Sequence, residues 1–293
     1  MAPHRPARPG PSRPAPSDSK EEPVPATVYV RFDVDAPVTA TPRRLHAAWG
    51  RVLDLPEGLD PARAAAFPAL AHRPPHGLAA PKPYSLGEMV QSDTAFGVEL
   101  RFLDDRLLDT LDAWLSWGGV LPVGDGGART SLAVAAEAQI LERADWEELA
   151  AADAHTAWDI RIVTPTVFTS RGEHIAGLTP ANLATSLHSR WRRWSPRTAP
   201  WLPERDRLDA VLTTRDSTFR VDVALGMPVR DGRGRLSDRR IPARAGRLRV
   251  SGPTGSEATA VFSRLMALAR YANVGSHTGF GMGVIDVVPD GAS

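Results

Sequence analysis

The order of elements in this sequence predicts an α+β protein built from two βαββαβ units in tandem. Three observations carry that expectation. Apolar residues alternate with polar ones at Val28, Val30, Phe32 and Val34, at Phe96, Val98, Leu100 and Phe102, and at Phe219, Val221, Val223 and Leu225, the period-two signature of strands with one buried face. The pairs Thr41-Pro42 and Thr179-Pro180 read as helix starts, threonine capping and proline in the first turn. The order strand, helix, strand, strand, helix, strand then occurs twice, with no sequence repeat at a fixed period.

Taken along the chain, residues 1–25 are rich in Pro, Arg and Ser and are expected to be a disordered tail. The first unit spans 26–145. Its first strand covers 26–35, and its first helix runs from Thr41 to about Asp54, burying Leu45, Trp49, Val52 and Leu53. A long proline-rich connection (56–81) leads to a short extended segment at 82–86. A strand at 96–103, a helix at 107–117, a turn region at 118–127 and a strand at 131–141 complete it. A short helix near 145–152 acts as linker. The second unit, 155–293, repeats the order: a strand at 158–163, a helix to about Trp194, a strand at 219–225 with Phe219, Val221, Val223 and Leu225 inward, part of another at 247–250, a helix at 256–271 and a last strand at 284–288. These are two ferredoxin-like domains of the kind that RRM modules use as a platform for single-stranded RNA.

Composition narrows the class. The 293 residues contain no cysteine and carry a formal net charge of +1, so disulfides and cysteine-ligated metals are excluded. No apolar h-region and no 18-residue apolar run occur, which points away from a secretory signal and a membrane span and toward the cytoplasm. The charge is unevenly spread: residues 186–250 hold 16 arginines and 7 acidic residues, +9, against −8 elsewhere. Arginine suits bidentate phosphate contacts and stacking on bases, so a polyanionic partner is expected.

The densest motif is Gly275-Ser276-His277-Thr278-Gly279-Phe280-Gly281-Met282-Gly283. Four glycines in nine residues let backbone approach a flat or charged group closely. A dinucleotide fingerprint requires strand, glycines, then helix; here the order is helix, glycines, strand.

This stretch resembles the C-terminal glycine-rich loop of the CRISPR-associated endoribonucleases of the sixth Cas family, with Asn273 where a glycine is usual and His277 where a lysine is usual. Thr164-Pro165-Thr166-Val167-Phe168 with Ser170-Arg171-Gly172 is similar to that family's T-P-T-x-F and R-x-G run. Ser186-Leu187-His188-Ser189-Arg190-Trp191 is similar to its second-domain helix, and Lys82-Pro83-Tyr84-Ser85 to its K-P-F/Y-T/S segment. The resemblance implies metal-free, cofactor-free cleavage of CRISPR repeat RNA, a hairpin by expectation. The ribose 2′-hydroxyl would attack the adjacent phosphorus, leaving 2′,3′-cyclic phosphate and 5′-hydroxyl ends. It also allows effector subunits as partners. A binding-only relative, or a subunit that coats RNA, stays open.

Histidine suits such acid–base work. Placement relative to the K-P-Y-S segment favours His76, then His46 on the first helix and His72; Lys82 and Tyr84 would supply a cation and a hydroxyl. Gly275, Ser276, His277, Thr278, Gly279 and Gly281 would hold the RNA backbone, with Arg190, Arg192 and Arg193 along a stem. No metal site is expected.

Overall fold

The computed structural model describes residues 22–77, 81–93, 95–124, 130–170, 172–175, 177–230, 236–237 and 240–291. Two antiparallel sheets organise them. In the first half, β1 (Ala26–Asp33) leads into α1 (Pro42–Leu53), the short helices α2 (Pro61–Ala64) and α3 (Pro68–Ala71), the strands β2 (Tyr84–Gln91) and β3 (Phe96–Phe102), and α4 (Leu108–Ser116). A hairpin of β4 (Val120–Val123) and β5 (Ser131–Arg143) follows, then α5 (Trp146–Ala150). The strand order is β2-β3-β1-β5-β4.

Helix α1 starts where expected: the Thr41 side chain accepts a hydrogen bond from the Arg44 amide, and Pro42 opens the first turn, where its missing N–H costs nothing. Its apolar face seats Trp49 against Phe32 and Trp114, with ring centroids 6.1 and 5.5 Å away. This aromatic cluster fixes the helix on the sheet.

The second half repeats the plan. Its elements are β6 (Ala157–Thr166), the small hairpin β7 (Phe168–Ser170) and β8 (Glu173–Ile175), α6 (Pro180–Trp194) and α7 (Arg205–Val211). A long arm of β9 (Thr213–Ala224) and β12 (Arg240–Ser251) carries the two-residue strands β10 (Val229–Arg230) and β11 (Leu236–Ser237) at its tip. The last elements are α8 (Glu257–Leu268) and β13 (Ile285–Pro289). The sheet order is β13-β6-β12-β9, the order of a ferredoxin-like domain. Trp158, Leu187, Trp191 and Phe262 are fully buried between it and the helices. The fold is therefore two ferredoxin-like domains in tandem, the first with β4 added at its edge.

Several expectations are corrected. The turn region at 118–127 contains β4: Leu121 and Val123 are buried, and Pro122 is tolerated because β4 is an edge strand that need not donate to a ladder on its outer side. The connection at 56–81 holds α2 and α3, each opened by a proline, and α7 was not foreseen. Phe219 does not point into a core but is 59% exposed. The β9–β12 arm outruns the short β13, and its overhang finds only a small cluster, Val221 and Val223 against Val167, Ile241, Ala243 and Met282. The tail boundary also moves. The Val24 amide donates to Asp105 Oδ1 at 3.0 Å, and Trp146 Nε1 donates to the Pro23 carbonyl at 2.7 Å, so residues 22–25 lie on the body. Residues 1–21 and Arg171 are outside the described residues.

The two sheets are joined by polar contacts to the segment after α8. Buried Arg101 donates to the Ala269 carbonyl at 2.9 Å, and the Thr27 hydroxyl to the Arg270 carbonyl at 2.9 Å. Asn273, fully buried, makes the widest connection. Its Nδ2 donates to the Leu86 carbonyl of β2 at 2.7 Å and to the Met282 carbonyl at 2.9 Å, and its Oδ1 accepts from the Ser85 hydroxyl at 3.2 Å. The Thr164–Phe168 run holds the other side of the glycine loop. The Ser276 amide donates to the Val167 carbonyl (2.8 Å), the Gly283 amide to the Pro165 carbonyl (3.1 Å) and the Val284 amide to Thr164 Oγ1 (2.9 Å).

Asn273→Ala would strand two buried carbonyls, each costing about 1–3 kcal/mol when left unpaired. Urea unfolding is expected to show a loss of about 2–4 kcal/mol; a loss under about 1 kcal/mol would mean that this amide does not hold the loop.

Candidate functional site

The glycine loop folds back across the junction of the two sheets and closes one side of a cleft of about 470 Å³. Gly275 and Gly283 make the return possible, with φ of 77° and 82°. A Cβ at Gly275 would overlap the Val167 carbonyl, and one at Gly283 the Val274 carbonyl. Between them His277, at φ 61°, takes the left-handed region without being glycine, which costs about 1–3 kcal/mol and is maintained only by surrounding structure.

Opposite the loop stands α1. His46 Nδ1 lies 3.0 Å from the Gly279 carbonyl, and the His46 ring stacks on Phe280 with centroids 4.2 Å apart and planes at 28°. A carbonyl can only accept, so Nδ1 carries the proton and Nε2 is left as an acceptor. Burial lowers the His46 pKa below its usual 6.5; the Gly279 carbonyl and Asp54 raise it, while Lys82 and His76 lower it. The balance keeps the ring neutral at pH 7.

The third wall is the start of β2. Lys82 Nζ donates to the Pro75 carbonyl at 2.6 Å and reaches Asp54 Oδ2 at 2.8 Å. Tyr84 lines the cleft, but its hydroxyl donates to Asp54 Oδ1 at 2.8 Å. Burial, then the Asp54 charge, pushes its pKa well above the ordinary phenol value. Helix α6 supplies the fourth wall with Ser189, Arg190, Arg193 and Trp194.

The residues singled out in the sequence divide accordingly. His46, Lys82, Tyr84, Arg190, Arg193, His277, Thr278 and Gly279 line one cleft. Gly275 and Ser276 anchor the loop from behind, and Gly281 faces Leu86. Arg190 is turned to the loop rather than outward. It donates to the Gly275 carbonyl at 2.8 Å and to Ser186 Oγ at 2.7 Å, and burial brings its pKa down to about 10, still charged at pH 7. Arg192 is exposed on α6, and neither it nor Arg193 forms an ion pair among the described residues. Other arginines of the basic segment are partly neutralised, as in Arg244–Asp216, Arg247–Asp159 and Arg249–Asp290.

His76 is exposed beside the cleft, its Nδ1 donating to Asp54 Oδ2 at 3.2 Å. His72 lines a different hollow, beside Asp105, Arg106 and Trp146. Two residues were missed. Phe280 was hidden among the glycines. Asp54 reads in the sequence only as the end of a helix, although His46, Gly50 and Asp54 follow at intervals of four, the spacing that puts them on one helical face.

Residues 160–285 match the family model for the CRISPR-associated endoribonuclease Cas6. No curated protein matches the chain. Among solved structures, a Cas6 product complex is 23% identical, covering 90% of this chain and 99% of that one, with a TM-score of 0.67. A Thermus thermophilus Cas6 is 21% identical over 91% and 99%, with a TM-score of 0.62. The product of a Cas6-related gene from Pyrococcus furiosus is 11% identical over 91% and 99%, with a TM-score of 0.51. These structures share the fold, and the segment that is similar to the Cas6 family model contains the glycine loop, α6 and the Thr164–Phe168 run.

Proposed function

We propose that the protein cuts CRISPR repeat RNA within this cleft by metal-independent transesterification, with His46 as general base. The reading rests on one contact, the His46 Nδ1–H held by the Gly279 carbonyl. It fixes the tautomer that leaves Nε2 free to take a proton, in a ring kept neutral by burial. The ribose 2′-hydroxyl gives its proton to Nε2 and its oxygen forms a bond to the adjacent phosphorus. The bond from phosphorus to the 5′-oxygen breaks, leaving a 2′,3′-cyclic phosphate, and the departing oxygen takes a proton from Lys82. Two Lys82 N–H groups are engaged by Pro75 and Asp54, and the third is available to the cleft. Arg193 at the rim offsets phosphate charge, which is worth most where water is excluded.

His46 is preferred to His76 and His72 because it alone of the three lines the cleft beside the glycine loop. The loop from Gly275 to Gly281 and the α6 face carrying Arg190, Arg192 and Arg193 are proposed to seat the RNA backbone. A substrate made in the cytoplasm sets the compartment, and the retained product is the form in which other effector subunits would meet the protein.

End-labelled repeat RNA incubated in excess EDTA is expected to be cut once, and a single 2′-deoxy substitution at that site to block cutting. Tight binding without cleavage would identify a binding-only protein instead, and neither binding nor cleavage would overturn the proposal.

His46→Ala is expected to slow cleavage at least about a hundredfold, the usual contribution of a placed acid or base. RNA affinity should stay within a few-fold, and His76→Ala should slow cleavage less than tenfold (~10). The reverse ranking would transfer the role to His76.

The pH dependence has a definite sign. The neutral ring is the active form, so the single-turnover rate should fall as pH drops through a midpoint below the usual 6.5. A rate that instead falls as pH rises through that midpoint would make His46 the acid.

A further inference from the structure

Asp54 is buried, 3% exposed, at the C-terminal end of α1. That is a poor place for a carboxylate. Burial disfavours its charge, and the negative end of the helix dipole adds to the cost. Three donors from outside the helix converge on it. The Tyr84 hydroxyl reaches Oδ1 at 2.8 Å; Lys82 Nζ at 2.8 Å and His76 Nδ1 at 3.2 Å reach Oδ2. Lys82 is held a second time by the Pro75 carbonyl at 2.6 Å. An ammonium with two N–H groups fixed has one left with a set direction, so Asp54 removes the rotational freedom that a lysine on a four-carbon stem otherwise has.

The geometry points to Asp54 as the positioning residue of the cleft: it holds the Lys82 ammonium aimed at the cleft, and it stands two turns along α1 from His46 on the same helical face. It touches no substrate itself. This inference rests on the reaction proposed above and adds to it the group that orders Lys82. A carboxylate kept in an unfavourable place, with three partners drawn from the connection and from β2, is accounted for by that task better than by stability. The groups that face His46 are Asp54 on its own helix, His76 and Lys82 across from it, the Gly279 carbonyl and His277 of the loop, and Arg190 and Arg193 of α6 around the same cleft. Asp54 is the only acidic group among these.

The test uses the full chain and Asp54→Asn, which keeps the shape and removes the charge. Single-turnover cleavage is expected to slow about ten- to hundredfold, within the range of one acid–base group, with the RNA dissociation constant within about threefold. Lys82→Met should slow cleavage similarly. The double variant should be no slower than Lys82→Met alone, because the first residue acts through the second. Independently of any RNA, NMR titration of the His46 imidazole should give a lower pKa in Asp54→Asn than in wild type, since the carboxylate raises it. If Asp54→Asn does not fold, Tyr84→Phe releases Oδ1 while keeping the charge and is expected to slow cleavage several-fold. Normal cleavage by either variant, additive losses in the double variant, or an unmoved His46 pKa would overturn the inference. A wild-type protein that does not cut repeat RNA would sink the proposed reaction instead, while the His46 titration would still decide whether Asp54 acts on this cleft.

Discussion

Everything in the cleft depends on where the glycine loop is pinned, and that is decided by one buried amide. Asn273 reaches Leu86 of the first sheet and Met282 at the far end of its own loop. It therefore closes the loop and docks it against the other domain with the same side chain. Buried amides of this kind specify geometry more than they add stability, because every alternative arrangement leaves a donor or acceptor without a partner. The loop then meets α1 at His46, with the Gly279 carbonyl at its Nδ1 and the Phe280 ring stacked on the imidazole.

From that contact the rest of the site follows in two directions. Toward the second domain, the loop is gripped by the Thr164–Phe168 run and by Ser186 and Arg190 of α6, so a motif that looks like a phosphate-binding segment is also a structural buckle. Arg190 illustrates this: expected from sequence to lie along an RNA stem, it also donates to the Gly275 carbonyl and to Ser186 Oγ and so braces the loop. Toward the first domain, His46 shares its helical face with Asp54, which collects Lys82, Tyr84 and His76. Two domains thus each contribute half of a site whose electrostatics neither could set alone.

The sequence was most legible where a physical rule is local. The Thr179-Pro180 start and the end of α6 at Trp194 were read as they stand in the structure, because cap chemistry and period act over a few residues. It was least legible at edges. Pro122 and the glycines around it looked like a turn, since a proline is excluded from a strand unless that strand lies at an edge, and edge position is a tertiary fact. Phe219 alternates as a core residue does, yet the strand that carries it runs beyond the sheet that would cover it.

The candidate site shows the same division. By itself the chain determined the two βαββαβ units, the glycine loop, the family resemblance and a short set of histidines, because each is written in residue types and spacings. Only the tertiary structure separated the histidines: His72 faces another hollow, His76 leans on Asp54, and His46 meets the loop. Residues 46 and 279 are 233 positions apart, and no local periodicity carries information over that distance. Their contact is a product of how two sheets dock, which burial and hydrogen-bond satisfaction across the whole chain decide.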